Sequence, residues 1–124
     1  MRLPKREFES LVETALQGVP EYFRERMLNV EVSVADIPGP EAEEDEGADD
    51  LMGLYIGPMR EEMLASDAGP GLPARVLLYK DNIEDACESK AEVMKEVTLT
   101  LRHELAHHFG FDDEELEEFW PEGA

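Results

Sequence analysis

Along residues 5–17, KREFESLVETALQ, apolar side chains recur at Phe8, Leu11, Val12, Ala15 and Leu16, the spacing of one helical face. The spacing predicts a surface helix that closes near Gly18 and Pro20, followed by a short helical piece over EYFRERML (21–28). The period then changes to two. In NVEVSVAD (29–36), Val30, Val32 and Val34 face one way while Glu31 and Ser33 face the other, the pattern of a half-buried strand. LMGLYIG (51–57) reads as a short strand with a glycine at either end of its core. ARVLLYKD (74–81) is a near-continuous apolar run bounded by turn residues, which predicts a central strand covered on both faces. Between them, PMREEMLASDAGPGLP (58–73) reads as a connector closed by glycine and proline.

The longest element comes last. SKAE (89–92) has the Ser-x-x-Glu form of a helix-capping box and stands directly before an apolar-periodic run. Val93, Val97 and Leu101 form one row of that helix, with Met94 and Leu105 beside it. Glu96, Thr100, His103 and His107 form a different row, so one face belongs to the core and another presents two histidines in line. Gly110 occupies the position where a left-handed residue stops a helix. DDEELEEF (112–119) then opens a final helix, with Asp112-x-x-Glu115 as its own capping box.

No internal repeat interrupts this order, and 124 residues predict one domain, 1–124, with a single modest core. Composition changes the picture in one respect. Against 11 basic residues stand 31 acidic ones, a net charge of −20. That balance counts against nucleic acid and anionic membranes as partners, because phosphate binding needs clustered Lys and Arg. It favours cations near the surface, although most of these carboxylates serve solubility alone. Seven acids fall within PGPEAEEDEGADD (38–50), which reads as a mobile acidic loop, since the run holds no large apolar side chain to bury. Its spacing does not match the alternating oxygen ligands of an EF-hand. An absent apolar span, an absent secretory h-region and a lone cysteine together predict a cytoplasmic protein. Cys87, near the start of the long helix, is expected to be a small buried residue.

The candidate chemistry lies in HELAHHFGFDD (103–113), which contains all three histidines of the chain. On a helix, His103-Glu104-x-x-His107 sets two imidazoles one turn apart on the same face, where both can reach one ion at about 2.0–2.1 Å. Glu104 is rotated by about 100° from His103. It therefore sits beside the ion as a base for a bound water rather than as an obvious third ligand. A catalytic zinc takes three protein ligands and keeps a fourth position open. The nearest third ligand is Asp113, brought back by the turn at Gly110, with Asp112, Glu114 or a water as alternatives. Acids in a first helical turn are also favoured by the helix dipole without any metal, so the same residues have a purely structural reading. His108, one helical step off the ligand row, is expected to pack or hydrogen-bond behind the site.

HELAHHFGFDDEEL, preceded by LMGLYIG and ARVLLYKDNI, resembles the minimal-zincin family of small bacterial zinc metallopeptidases, whose signature HExxHxxGxxD is matched by His103, Glu104, His107, Gly110 and Asp113. The resemblance runs from about residue 51 to 118, and the acidic stretch at 41–50 looks like an insertion. It implies a compact α+β zincin-like domain, a small twisted mixed sheet packed on a long active-site helix. It also implies one zinc held by two His and an Asp, with Glu104 as general base. By the same analogy, GLYIG (53–57) is the edge strand that would pair with an extended peptide. A metzincin would place His at Asp113 and a methionine turn below the metal, and no methionine follows Met94.

Two functions of different kind follow as expectations. One is a zinc peptidase acting on peptides or unfolded protein segments, with Tyr55, Tyr79 or Arg102 as oxyanion stabilisers by residue type only. The other is a metal- or peptide-binding module with little or no turnover. A third expectation makes the acidic loop a docking site for a basic partner. Oligomeric state has no signature in the sequence.

Overall fold

Three strands, Val30–Ala35 (β1), Gly53–Ile56 (β2) and Ala74–Tyr79 (β3), form one sheet in the order β1-β3-β2. The computed structural model describes residues 1–27, 30–42, 47–57 and 74–121, with Ala48 and Asp113 described by backbone alone. β1 runs parallel to β3, with Val30 opposite Ala74 and Ala35 opposite Tyr79. β2 runs antiparallel to it, with Gly53 opposite Leu78 and Ile56 opposite Arg75. The sheet is therefore mixed, β3 is central, and β2 is an edge, as the hydrophobic pattern and the resemblance predict.

The apolar run of β3 is buried on both faces. Val76 and Leu78 join the main core, Leu77 and Tyr79 are also buried, and only Arg75 is exposed. The described residues also form five α-helices: Lys5–Gln17 (α1), Glu21–Arg24 (α2), Lys80–Asp85 (α3), Lys90–Phe109 (α4) and Asp113–Phe119 (α5). α1 packs on α4, and α4 packs on both β2 and β3. From α1, Phe8, Val12 and Ala15 are buried; from α4, Val93, Val97, Leu101 and Leu105 are. These are the rows that the helical spacing predicts.

Two expectations about element boundaries are corrected. The strand read over 74–81 ends at Tyr79, and α3 follows at once. The Tyr79 N–H still reaches Met52 O at 2.8 Å, whereas Lys80 turns its amine onto Glu84 one helical turn later, at 2.9 Å. That pair is buried, and Glu84 also accepts the Leu3 N–H at 2.9 Å. Burial pushes the Glu84 carboxyl up, but Lys80 and the Leu3 N–H outweigh it and hold the group below its usual value. The helical piece read over 21–28 is shorter, because the chain tightens after Arg24 into i→i+3 bonds, Arg26 N–H to Phe23 O and Met27 N–H to Arg24 O. Leu28 lies outside the described residues.

The capping box read at 89–92 is present in altered form. Ser89 Oγ accepts the Glu92 N–H at 3.2 Å, while the Glu92 carboxylate reaches back to the Glu88 N–H at 2.7 Å. The acidic run at 38–50 is tied down on both flanks. Tyr79 donates its hydroxyl to Glu41 at 2.9 Å, and the Asn82 amide holds Asp49 O and Leu51 O at 2.9 and 2.7 Å. The Glu41 carboxyl is lowered first by its own backbone N–H and then by that hydroxyl. Residues 43–46 of the run and the connector at 58–73 lie outside the described residues. Among the described residues, no helix is long and apolar enough to cross a membrane.

Candidate metal centre

The two histidines in line on α4 stand together at the surface. The His103 and His107 rings are 5.0 Å apart between centroids, and both residues are exposed. Glu104 lies between them in sequence but is 7% exposed, with Oε2 at 3.9 Å from His107 Nδ1. Helical geometry produces this division, because positions 103 and 107 share a face while position 104 is turned towards the body of the protein.

What covers Glu104 is β2, and a glycine brings it close. A Cβ built on Gly53 would stand 2.6 Å from Thr100 Cγ2, 3.1 Å from Leu77 O and 3.4 Å from Glu104 Cγ. Two residues along, on the same face of the strand, the Tyr55 hydroxyl lies 3.0 Å from His108 Nδ1. β2 thus runs along α4, with Gly53 over Thr100 and Glu104 and Tyr55 over His107 and His108. His108 is fully buried, in the packing and hydrogen-bonding role expected of it. Cys87 is buried as expected. Its thiol is pushed up by burial first and by the nearby Glu96 and Glu92 carboxylates second.

The turn after α4 sets where the final acids fall. Gly110 adopts φ 70°, the Phe111 N–H reaches Ala106 O at 3.0 Å, and the Gly110 N–H reaches His107 O at 3.2 Å. These two bonds form a Schellman motif, which needs a left-handed residue at Gly110. Asp112 then caps α5, accepting the Glu115 N–H at 2.8 Å while Glu115 receives the Asp112 N–H at 3.4 Å. Both bonds of the predicted capping box are made. Arg102 pins the far end of α5, donating to Trp120 O at 2.6 Å and to Glu117 at 3.1 Å. Asp113 is the first residue of α5, and its side chain lies outside the described residues.

All three residues named by type as oxyanion stabilisers have protein partners for their polar groups: Tyr55 with His108, Tyr79 with Glu41, and Arg102 with α5. The close approach at Gly53 and the Arg102 clamp escape sequence reasoning. A glycine inside a strand pattern was the available signal for the first; the second had none.

Among the described residues, no group of three or more His, Cys, Asp or Glu converges as a metal cage. The described donors are the His103–His107 pair, with the Glu104 carboxylate beside it. Two surface imidazoles one turn apart on a rigid helix are a donor set that zinc accepts, and a carboxylate entering from the α5 side would complete it.

A mixed α+β domain that carries His-Glu-x-x-His on a long helix beneath an edge strand has the architecture of the zincin class. The family model described as Zincin-like metallopeptidase matches residues 27–121, and the chain belongs to that family. The resemblance read from HELAHHFGFDDEEL is thereby borne out, as is the α+β fold. The family generally uses zinc. Among solved structures, the chain is similar to a conserved hypothetical protein from Thermo thermophilus. The two are 27% identical, with 86% of this chain and 94% of that chain covered and a TM-score of 0.55. No curated protein matches the chain.

Proposed function

We propose that this chain is a zinc-dependent peptidase, a single-domain cytoplasmic hydrolase of peptides or unfolded protein segments, in which His103, His107 and Asp113 hold one zinc and Glu104 is the general base. The observation that carries the proposal is the split environment on α4: two exposed imidazoles 5.0 Å apart, with a nearly buried carboxylate 3.9 Å from one of them. Bound there, zinc would act as a Lewis acid and lower the pKa of a water towards about 7.

The protein's own residues supply the remainder. Glu104 takes the proton at its carboxylate and returns it to the departing amine, and its place beneath β2 fixes the direction of that transfer. His103 and His107 present nitrogens from successive turns of one helix, so the distance between them is set by the backbone. The outer edge of β2 offers main-chain groups to an extended peptide, which would add to the sheet as a further strand.

The test compares zinc content and peptide cleavage in the wild type and Glu104→Gln. Both proteins should bind one zinc, and the variant should lose cleavage by about 100-fold or more, the contribution of a positioned general base. Equal cleavage by the two would rule out the mechanism. The alternative, a metal- or peptide-binding module without turnover, is favoured by one observation: the polar groups of Tyr55, Tyr79 and Arg102 are each bonded to another group of the protein. Under that reading both zinc-loaded proteins are inert.

A further inference from the structure

We infer that Tyr55 is a positioning residue of the metal centre, a side chain of the edge strand that orients His107 and ties β2 to the helix that carries it. The inference rests on the zinc reading and extends it to a residue outside the HExxHxxGxxD pattern.

His107 is exposed over half its side chain, at 54%. An imidazole that open has few neighbours to fix its torsions, and a metal that captured it would have to order it first. The Tyr55 ring stands against it, with centroids 6.4 Å apart and planes at 68°, an edge-to-face arrangement within the range where aromatic pairs attract. The His103 ring also meets His107, at 5.0 Å and 61°. The His107 ring thus touches both the other proposed imidazole ligand and Tyr55.

Tyr55 can do this only if its own ring is fixed, and two features fix it. Its hydroxyl shares a hydrogen bond of 3.0 Å with Nδ1 of the fully buried His108, so the far end of the side chain is anchored in the core rather than left in solvent. Their rings also meet, with centroids 5.9 Å apart. On the same face of β2, Gly53 has no side chain, and the strand settles directly on Thr100 and Glu104. Tyr55 is therefore the side chain that spans from β2 to the histidine turn of α4. A ring contact of this kind helps to fix the ligand's orientation, and its loss should cost a few-fold to about 10-fold in metal affinity.

The test uses the full chain as wild type, Tyr55→Phe and Tyr55→Leu. Zinc affinity is measured by competition with a chromophoric chelator, the visible spectrum is recorded for the cobalt(II)-loaded proteins, and Tm is recorded for the metal-free proteins. Tyr55→Phe keeps the ring and loses the anchor, and should weaken zinc by about 3-fold. Tyr55→Leu loses both and should weaken it by about 10-fold, with an altered cobalt band. Wild-type affinity and an unchanged cobalt spectrum in both variants, whatever happens to Tm, would reduce Tyr55 to a packing residue and overturn the inference. A wild type that takes up neither metal overturns it together with the zinc reading. The two failures are distinguishable because only the second leaves the wild type blank.

Discussion

Replacing Gly53 with Ala tests the contact that sets β2 on the active helix. The added Cβ would stand 2.6 Å from Thr100 Cγ2, a separation real Cβ atoms essentially never show, and 3.1 Å from Leu77 O. Thr100 is β-branched and sits within a helix, so its side chain has little freedom to turn away. Overpacking of this kind costs about 1–3 kcal/mol. An alanine in ordinary extended backbone returns about 0.4–1 kcal/mol through the unfolded chain. The net expectation is a loss of about 0–2.6 kcal/mol. Thr100→Ala removes the closest obstacle, so the double variant should recover most of that loss, while the Leu77 carbonyl keeps the recovery partial. Urea unfolding of the two single variants and the double variant measures the coupling directly, expected at about 1–2 kcal/mol. Additivity within about 0.5 kcal/mol would refute the claim that Gly53 exists to admit Thr100. Zinc-loaded Gly53→Ala should also cleave peptide more slowly, because a lifted β2 no longer covers Glu104.

Glu84→Gln would leave the buried Lys80 ammonium without its charge partner, at a cost on the order of 3–5 kcal/mol measured by urea unfolding. Because the folded Glu84 carboxyl lies below its unfolded value, its contribution is fully present above the unfolded pKa and is lost as pH falls through the folded one. Wild-type Tm should therefore drop on acidification below about pH 4, and the variant should drop less; parallel curves would contradict this. Asp112→Ala removes the cap of α5 and should cost about 1 kcal/mol while leaving zinc affinity unchanged. Asp113→Ala should do the reverse, and zinc lost with Asp112 instead would move the third ligand to that residue.

Local chemistry made most of this legible. The 3.6-residue rows of α4 separate Val93, Val97 and Leu101 from His103 and His107 before any tertiary contact is considered, and the core takes up the first set while the second stays exposed. The stop at Gly110 and the Asp112–Glu115 box are likewise short-range devices, readable from residue types at fixed offsets. What escaped the sequence depends on partners far along the chain. Lys80 looks like the polar end of a strand until Glu84 pairs with it, a carboxylate held in turn by the N–H of Leu3, far earlier in the chain. Tyr55, Tyr79 and Arg102 look alike as candidate donors in the sequence, and only the fold shows that each already has a different partner.

The central claim is an open zinc site made by His103, His107 and Asp113. The most direct measurement is a crystal structure of the zinc-loaded protein, read at the metal. One zinc is expected on the α4 face, bound by two imidazole nitrogens at about 2.0–2.1 Å and an Asp113 oxygen, with water in the fourth position and Glu104 beside it unligated. Four protein ligands closing the metal, or an Asp113 carboxylate turned away from it, would show that the site is not an open one completed by Asp113.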